Sequence, residues 1–360
     1  MRPSHPQLLI IAILLCMVPA AMASTMWYAD GNNGSDSNNC LTAASACLTI
    51  GHAISLASSG DSIKIGPATY SENLTINISL KLIGADARST IIDGGATVRT
   101  ISILNTKSVV GISGLTVQDG FASGGAGILN WGILTISNST ITGNVAAGDY
   151  SAAGAGIYNS GTLTINDSTF SGNQGTYDQY IFGGAIYNSG KLAINNTTIA
   201  GNTANGYLGG GGGGLYNAGT VTISNSTISG NSTANEGGDI YNGATLTIQN
   251  SIVANSHGGG NCYGAVTSKG YNLSNDGTCK FTNTGDLNKT KSFLGTLQNN
   301  GGQTQTMALL TGSPAIDAGN PNGCTNNNGV LLKTDQRGLP RPDTEDRSGC
   351  DMGAYERQTD

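Results

Sequence analysis

The chain has 360 residues, of which 55 are glycine and only 11% are charged, and its formal net charge at pH 7 is −6. This acidic balance disfavours a nucleic-acid ligand, because phosphates would be repelled and no basic stripe offsets the repulsion. Ile, Leu and Val recur at regular intervals, so the glycine-rich composition does not indicate a disordered chain.

The first 23 residues have the pattern of a secretory signal peptide. A basic start at Arg2 is followed by an apolar run over residues 8–18 and by a small-x-small cleavage pattern at residues 21–23. The apolar run is shorter than the roughly 20 residues that a transmembrane helix needs, and no later segment reaches that length. We therefore predict an exported protein, secreted or associated with the cell surface, without a transmembrane segment.

Six cysteines follow the signal peptide, and they fall into three local pairs. An even number of cysteines in an exported chain predicts disulfide bonds. A metal site would need Cys or His at spacings of two to four residues, and only His52 and His257 accompany these cysteines. We therefore predict disulfides rather than a metal site, with the pairs Cys40 and Cys47, Cys262 and Cys279, and Cys324 and Cys350.

Five segments in the middle of the chain align with one another almost without gaps. Their starts are 29, 29, 29 and 25 residues apart. Such a period predicts a stacked repeat architecture. The segments are GILNWGILTISNSTITGN from Gly127, GIYNSGTLTINDSTFSGN from Gly156, AIYNSGKLAINNTTIAGN from Ala185, GLYNAGTVTISNSTISGN from Gly214 and DIYNGATLTIQNSIVANS from Asp239.

Each repeat contains three short runs with alternating apolar residues, separated by Asn, Gly and Ser. Alternation predicts strands and the separators predict turns, so one repeat forms one coil of a parallel β-helix, an all-β solenoid. Stacked coils place equivalent apolar residues about 4.8 Å apart. The predicted core columns are Leu134, Leu163, Leu192, Val221 and Leu246; Ile136, Ile165, Ile194, Ile223 and Ile248; and Ile141, Phe170, Ile199, Ile228 and Val253.

Asparagine also recurs in register, at the predicted corners of the coils. Because Asn accepts left-handed backbone angles and its amide can bond along a stack, these columns suit tight turns. The N-x-S/T sequons, such as the one at Asn138, follow the same period, so we interpret them as corner residues rather than glycan sites. The columns are Asn130, Asn159, Asn188, Asn217 and Asn242, and Asn144, Asn173, Asn202 and Asn231.

The predicted domain boundaries follow the strength of the repeat along the chain. Residues 24–60 form an N-terminal cap, and residues 61–256 form the β-helix, with weaker coils before the clear repeats at 127–256. Residues 257–360 are rich in loops and contain four cysteines. We expect them to form a C-terminal cap that covers the open strand edges of the last coil.

Both ends of the mature chain contain motifs with a family resemblance. The start, WYADGNNGSDSNNCLTAASACLTIGHAI, resembles secreted right-handed β-helix proteins of the pectate-lyase-like superfamily. The tail elements LQNNGGQTQTMALLTGSPAIDAGNP, TDQRGLPRP and CDMGAYE resemble the bacterial choice-of-anchor Q domain, which occurs on secreted and surface proteins. The resemblance implies a right-handed coil and no single activity. No sorting motif follows Tyr355 and Glu356, so we expect release or loose surface association.

Candidate catalytic residues lie in three insertions of equal length, residues 145–155, 174–184 and 203–213. In repeat register, Asp149 lies under Asp178, with Tyr207 at the same place one coil further on. Two carboxylates at this spacing can share a calcium ion or act as an acid and base pair. The alternative is two solvated turn residues on mobile glycine-rich loops, and we favour it because no base accompanies them.

A tyrosine in four successive repeats forms the second candidate site. Each lies between an inward aliphatic residue and a corner Asn, so alternation points the four rings outward from one sheet. Aromatic rings can stack on the apolar faces of sugars, but aligned rings also stabilise a parallel ladder by packing on each other. The candidate ligand-binding residues are Tyr158, Tyr187, Tyr216 and Tyr241.

The tail motif contains Asp317, Asp335, Arg337, Asp351 and Glu356. We interpret them as structural, with the first two in turns and Arg337 paired with a carboxylate to fix the cap. Two functions remain open for the whole chain. One is non-catalytic binding of polysaccharide or a cell-surface glycan. The other is a carbohydrate-active enzyme, a lyase or a glycoside hydrolase, with calcium as its only conceivable cofactor.

Overall fold

Three long parallel sheets run the length of the molecule and enclose its core. The structure, a computed structural model, describes residues 24–176, 179–343 and 349–359. Among these residues, no helix has the length and apolar character to cross a membrane. Sheet 1 consists of ten strands in this order: Met26–Ala29, Ser62–Ile65, Leu80–Gly84, Val109–Ser113, Ile133–Ser137, Thr162–Asn166, Lys191–Asn195, Thr220–Ser224, Thr245–Gln249 and Thr267–Ser268.

The other two sheets complete each coil, because the chain passes from sheet 3 to sheet 1 and then to sheet 2. Sheet 2 consists of Ala68–Ser71, Thr90–Asp93, Thr116–Gln118, Thr140–Thr142, Thr169–Ser171, Thr198–Ala200, Thr227–Ser229, Ile252–Ala254, Leu273–Ser274 and Leu287–Asn288. Sheet 3 consists of Leu74–Thr75, Ile101–Ile103, Ile128–Asn130, Ile157–Asn159, Ile186–Asn188, Leu215–Asn217, Ile240–Asn242 and Cys262–Tyr263.

The inward side chains form continuous columns, as the repeat predicted. The strand register confirms all three aliphatic columns, for example Leu134 beside Leu163 and Ile141 beside Phe170. Every member of these columns is at most 3% exposed. Since burying one such side chain contributes roughly 1.5–3 kcal/mol, the columns supply the main hydrophobic stabilisation of the stack.

Both asparagine columns form hydrogen-bonded ladders inside the turns. Asn130 donates from Nδ2 to Oδ1 of Asn159 at 2.7 Å, and the same bond recurs up to Asn242. The second ladder ends on Asp239, whose Oδ1 accepts from Asn231 Nδ2 at 2.8 Å. These side chains are fully or almost fully buried, so the bonds satisfy polar groups that water cannot reach.

The left-handed backbone lies in a different column from the one expected. The residues with positive φ at the turn between sheets 1 and 2 are Asn138 at 48°, Asp167 at 50°, Asn196 at 52°, Asn225 at 47° and Asn250 at 48°. The column contains Asn138 and Asn225, which begin N-x-S/T sequons, so these residues lie at corners as predicted. The Asn residues of the two ladders have no left-handed angles themselves. At the second ladder the glycine before each Asn has them instead, for example Gly143 at 65° and Gly172 at 61°.

The N-terminal cap covers the first coil with a short helix, Ile50–Leu56, preceded by a 3-10 turn at Ala43–Ser45. The hydroxyl of Thr49 caps the helix by accepting from the His52 backbone N–H at 3.1 Å. The Glu72 carboxylate accepts from two further free N–H groups at 2.7–2.8 Å. Ile50 and Ala53 are completely buried on the core, so the helix closes this end of the solenoid.

The stack extends beyond both predicted boundaries. At the start, Met26–Ala29 already pairs with Ser62–Ile65, and the Cys40–Cys47 loop hydrogen-bonds the outer edge of that first strand. At the other end, four short strands after residue 256 continue the three sheets. Phe281, which is 3% exposed, and the Cys262–Cys279 disulfide are the last members of the main core in chain order.

Residues 293–359 do not cover the last coil as expected, but run back along the side of the solenoid. They begin with an antiparallel pair, Leu294–Gln298 and Thr306–Leu309. The Gln336 carboxamide accepts from Thr198 Oγ1 at 2.6 Å and donates to Thr169 Oγ1 at 2.9 Å. The Cys324–Cys350 disulfide lies against Asn250. This segment therefore covers the left-handed corner and the outer face of sheet 2 over several coils.

Candidate functional site

The three equal insertions leave the solenoid as ordered arms on one edge. Their bases pair as part of sheet 4, which consists of Phe121–Ala122, Val145–Ala146, Gln174–Gly175, Thr203–Ala204 and Ser232–Thr233. Their returning segments pair as sheet 5, which consists of Ser151–Ala153, Tyr180–Phe182 and Gly209–Gly211. The predicted common edge is confirmed, and the described parts of the arms contain short strands that pair with those of the neighbouring coils.

Small side chains pack the inside of the arms. Ala146, Ala152 and Ala155 form a separate buried cluster, and Ile181 is completely buried between sheets 4 and 5. Asp149 lies exposed at the tip of the first arm. Asp178 lies outside the described residues, so the pairing of the two carboxylates stays a prediction.

The tyrosine column forms a stacked ladder along sheet 3. Tyr158 and Tyr187 have ring centroids 4.7 Å apart, Tyr187 and Tyr216 5.5 Å, and Tyr216 and Tyr241 4.5 Å, with interplanar angles of 28°, 12° and 7°. A fifth ring, Tyr263, stacks on Tyr241 at 4.8 Å. The four predicted rings are half-buried, because Tyr187, Tyr216 and Tyr241 stack on a ring at each face and Tyr158 stacks on one.

Tyr263 was missed because the last repeat interval differs from the others. It follows Tyr241 by 22 residues, whereas the earlier tyrosines are 29 and 25 residues apart. Strand pairing nevertheless places Cys262 beside Ile240 and Tyr263 beside Tyr241. The signal in the sequence was the segment NCYG at residues 261–264. Like DIYN at residues 239–242, it has a polar residue, an inward apolar residue and then a tyrosine.

The rings with free surface lie on the arms rather than in the middle of the ladder. Tyr150 is 59% exposed and Tyr207 is 77% exposed at the arm tips, where Leu208 is also exposed. Tyr150 contacts Tyr180 at 5.4 Å between centroids, and Phe182 meets Tyr216 edge-on at 5.0 Å. The arms and the ladder therefore form one aromatic face, whose ring faces are accessible mainly at the tips.

A carboxylate pair not selected from the sequence lies near the end of sheet 2. The amide Nε2 of Gln118 donates to one oxygen of Asp93 and to one oxygen of Asp119, each at 3.0 Å. Burial, and secondly the neighbouring charge of Asp93, raise the pKa of Asp119. The segments IIDGG and TVQDG end adjacent strands of sheet 2, where Asp93 lies beside Gln118 and Asp119 follows one residue later, so their alignment could have revealed the pair.

One group of three possible metal ligands occurs within the described ranges. It consists of Cys40, Cys47 and His52, whose ligand atoms lie within 4.8 Å of one another. The two sulfurs are joined in a disulfide, which removes the thiolates that a metal would need. The cysteine pairs are those that local spacing predicted, and all three serve as covalent ties.

Comparison with known proteins identifies the family. The model of the right-handed β-helix region matches residues 99–284, which is just over half of the chain. The chain belongs to the right-handed β-helix family. The match confirms the handedness that the resemblance implied, and it ends before the GSPAIDAG and CDMGAYE elements of the tail.

A solved structure titled "Crystal structure of pectate lyase Pel9A" is similar to this β-helix protein. The two chains share 14% identity, the similarity covers 93% of this chain and 97% of that one, and the TM-score is 0.45. No curated protein matches the chain.

The charged residues of the tail form a buried network that ties this β-helix protein together. Arg337 contacts Asp335 at 2.7 Å and stacks over the Tyr355 ring at 3.6 Å, while Arg341 contacts Glu356 at 2.7 Å. Asp335 and Arg337 are thus paired in a turn, as the structural interpretation predicted. Burial, and secondly the charge of Glu356, raise the pKa of Asp351 to about 7. These shifts arise from packing in a tie between tail and solenoid rather than from an open site.

Asp167 gives this β-helix protein a testable pH dependence. Burial raises the pKa of Asp167 to about 6, against the opposing hydrogen bond from Asn196 Nδ2 at 2.6 Å and the charge of Arg341. The folded chain therefore binds this proton more tightly than the unfolded chain. Its contribution to stability is fully present below pH ~4 and is lost as the pH rises through about 6.

We expect Asp167→Asn to remove the loss of stability at high pH, since Asn has no charge and occupies the same left-handed corner in the coils on either side. Relative to the wild type, the free energy of unfolding should rise by on the order of 2 kcal/mol at pH 8 and stay unchanged at pH ~4. Guanidinium unfolding at both pH values measures the effect. Asp149→Asn, which removes the same charge from an exposed tip, should change neither value. Equal profiles for the two variants would contradict the assignment.

Proposed function

We propose that this chain is an exported, non-catalytic β-helix protein that binds polysaccharide or a cell-surface glycan along the aromatic face of its arms. The observation that carries the proposal is the exposure of Tyr150 and Tyr207 at the tips of ordered arms. Sugar rings present apolar C–H faces that stack on aromatic rings, and we expect each such contact to contribute about as much as a pair of aromatic side chains, roughly 0.5–1.5 kcal/mol. The paired strands that follow the two tips, Ser151–Ala153 and Gly209–Gly211, anchor them to the arms, which reduces the entropic cost of binding.

The half-buried ladder has a supporting rather than a direct role in this proposal. Its rings stack on each other at 4.5–5.5 Å, so their faces are already used. Phe182 connects the ladder to the arms through its edge-on contact with Tyr216. We therefore assign glycan contact to the arm tips, with Tyr158, Tyr187, Tyr216 and Tyr241 as the platform that positions them.

Export and surface association belong to the same proposal. Its support is the signal-peptide pattern of residues 1–23, which lie outside the described residues, together with three disulfides, which persist in oxidising compartments. The tail motifs support a choice-of-anchor Q domain. In that domain we assign the buried pairs of Asp335 with Arg337 and of Arg341 with Glu356 the role of fastening the tail.

Binding to insoluble polysaccharides tests the proposed function. The double variant Tyr150→Ala/Tyr207→Ala should lose retention on the bound polysaccharide about tenfold or more, because two stacking contacts are removed. Trp131→Ala is the matched control, since Trp131 is 44% exposed on another edge of the solenoid. Equal retention of the double variant and the wild type on every polysaccharide bound by the wild type would refute the proposal.

A carbohydrate-active enzyme is the second candidate, and the carboxylate pair of Asp93 and Asp119 favours it. Two carboxylates of which one has a raised pKa can divide the roles of base and acid. Asp149 with Asp178 is the other possible pair, and calcium is the cofactor to test. Release of reducing ends or of unsaturated products, measured with and without calcium, would establish this function if Asp119→Asn or Asp178→Asn abolished it.

A further inference from the structure

The tyrosine ladder ends in a cleft at the C-terminal end of the solenoid. The cleft has a volume of about 770 Å³ and is lined by the Cys262–Cys279 disulfide together with Glu236, Tyr263, Thr278 and Lys280. Tyr263 closes the ladder at this end, since sheet 3 ends with the strand Cys262–Tyr263. A ladder of stacked rings thus opens into a cavity that is large enough for a sugar residue.

Tyr263, like Tyr158 at the other end of the ladder, has one face without an aromatic partner among the described residues, and it is the more exposed of the two end rings. Its inner face stacks on Tyr241 at 4.8 Å and 26°, and no further ring stacks on it among the described residues. The side chain is 41% exposed, whereas the other ladder rings are half-buried. The C–H face of a pyranose can therefore continue the stack at the place where a sixth ring would lie.

The polar groups of the cleft suit a neutral, hydroxyl-rich ligand. Glu236 supplies an acceptor on the same lining as the ring, and its charge raises the pKa of Tyr263. Lys280 supplies donors on the same lining. These are the two charged groups of the lining, and their charges cancel, so neither a cation nor an anion is favoured. Hydroxyl groups, which both donate and accept, match the pair.

The platform is fixed in advance by its covalent and backbone surroundings. The Thr278 hydroxyl accepts from the Cys262 backbone N–H at 3.0 Å and donates to Asp276 at 2.7 Å. Gly264 has a φ of 85°, and a Cβ there would lie 1.9 Å from the carbonyl oxygen of Asn242. Only glycine fits this close approach to the backbone of the preceding coil, which fixes the chain directly after Tyr263.

We propose that this cleft binds one neutral pyranose residue of a glycan, stacked on the free face of Tyr263 and hydrogen-bonded by Glu236 and Lys280. The proposal rests on the glycan-binding function proposed above, and it adds a terminal subsite that is separate from the arm tips. A polysaccharide held on the arms and a single sugar residue held in the cleft are therefore measured independently.

Saturation-transfer NMR with methyl glycosides tests the subsite on the full-length mature protein. The probes are methyl β-D-glucopyranoside, methyl α-D-mannopyranoside and methyl α-D-galactopyranoside, with methyl α-D-galactopyranosiduronate as the charged comparison. At least one neutral probe should bind with a Kd in the range of ~1–10 mM, as a single stacked ring would give. The uronate should bind more weakly than its neutral counterpart.

Variants of the lining decide whether that binding is in the cleft. Tyr263→Ala should raise the Kd at least tenfold, Glu236→Gln should raise it several-fold, and Tyr263→Phe, which keeps the stacking face, should retain most of the affinity. Tyr150→Ala/Tyr207→Ala should leave the Kd unchanged. Circular dichroism identifies any variant that fails to fold. If Tyr263→Ala fails to fold, the conservative variants Tyr263→Phe and Glu236→Gln still test the subsite.

Two results would overturn the subsite while leaving the arm proposal intact. One is polysaccharide retention that depends on Tyr150 and Tyr207 with no binding of any neutral methyl glycoside at 50 mM, a concentration well above ~10 mM. The other is glycoside binding that is unchanged in both Tyr263→Phe and Glu236→Gln and is lost in the arm variant. Conversely, the protein could bind a methyl glycoside, lose that binding with Tyr263→Ala, and show no polysaccharide retention that depends on the arms. This result would overturn only the arm site.

Discussion

Arg341→Met is expected to lower the free energy of unfolding by about 3–5 kcal/mol. The Arg341 guanidinium donates to Glu356 Oε2 at 2.7 Å, to Asn196 Oδ1 at 2.9 Å and to the Gly353 carbonyl at 2.8 Å. Both side chains of the ion pair are completely buried. Methionine fills a similar volume but leaves the Glu356 charge and two acceptors without a partner, and an uncompensated buried charge is costly.

The loss should be greatest where the tail contacts the solenoid. We expect faster hydrogen exchange in peptides from residues 335–343 and 349–359, and a lower guanidinium midpoint. Adding Glu356→Gln to Arg341→Met should recover part of the loss, because the substitution removes the unpaired charge. The matched control is Arg88→Met, whose ion pair with Asp86 is exposed and should contribute less than about 1 kcal/mol. Equal effects of the two arginine substitutions would show that the buried pair does not fasten the tail.

Asn173→Ala is expected to cost about 4 kcal/mol or more. Asn173 is fully buried in the second asparagine ladder, where its Nδ2 donates to Asn202 Oδ1 at 2.8 Å and to the Ile141 carbonyl at 2.9 Å. Its Oδ1 accepts from Asn144 Nδ2 at 2.8 Å. Alanine removes hydrogen bonds to side chain and backbone groups of the two adjacent coils and creates a cavity, and each buried group left unpaired costs about 1–3 kcal/mol.

Chemical unfolding followed by far-ultraviolet circular dichroism measures this loss. Asn105→Ala is the matched control, since Asn105 is exposed and donates to the Asn77 carbonyl at 2.9 Å, and it should cost less than about 1 kcal/mol. Asn173→Asp tests the donor separately, because a carboxylate only accepts; its cost should be smaller at pH 4 than at pH 8. A cost for Asn173→Ala no larger than that of Asn105→Ala would mean that the ladder relaxes around the missing amide.

The rings of the candidate site illustrate the limits of inference from local spacing. The sequence predicted Tyr158, Tyr187, Tyr216 and Tyr241 because they recur in register with the core columns. It left open whether the rings bind sugar or pack on one another, since stacking distance depends on how each coil twists against the next. The free faces of Tyr150, Tyr207 and Tyr263 depend on which surfaces the arms and the last coil leave uncovered, and exposure is a property of the whole fold.

The sequence by itself determined the solenoid, its register and its disulfide pairs. The reason is that a 29-residue period relates each residue to its neighbour in the next coil, so a local pattern specifies a three-dimensional contact such as Leu134 beside Leu163. The cysteines pair over short separations of 7, 17 and 26 residues, which keeps their partners local as well.

Only the tertiary structure showed that the three insertions form paired strands and that the tail runs along the side of the solenoid. Strands of two or three residues, such as Val145–Ala146 and Ser151–Ala153, are too short to show alternation, and they exist because adjacent coils supply hydrogen-bond partners. Tail contacts such as Gln336 with Thr169 span 167 residues. No period relates such residues, so their contact depends on the shape and polarity of a surface that exists only after the solenoid has formed.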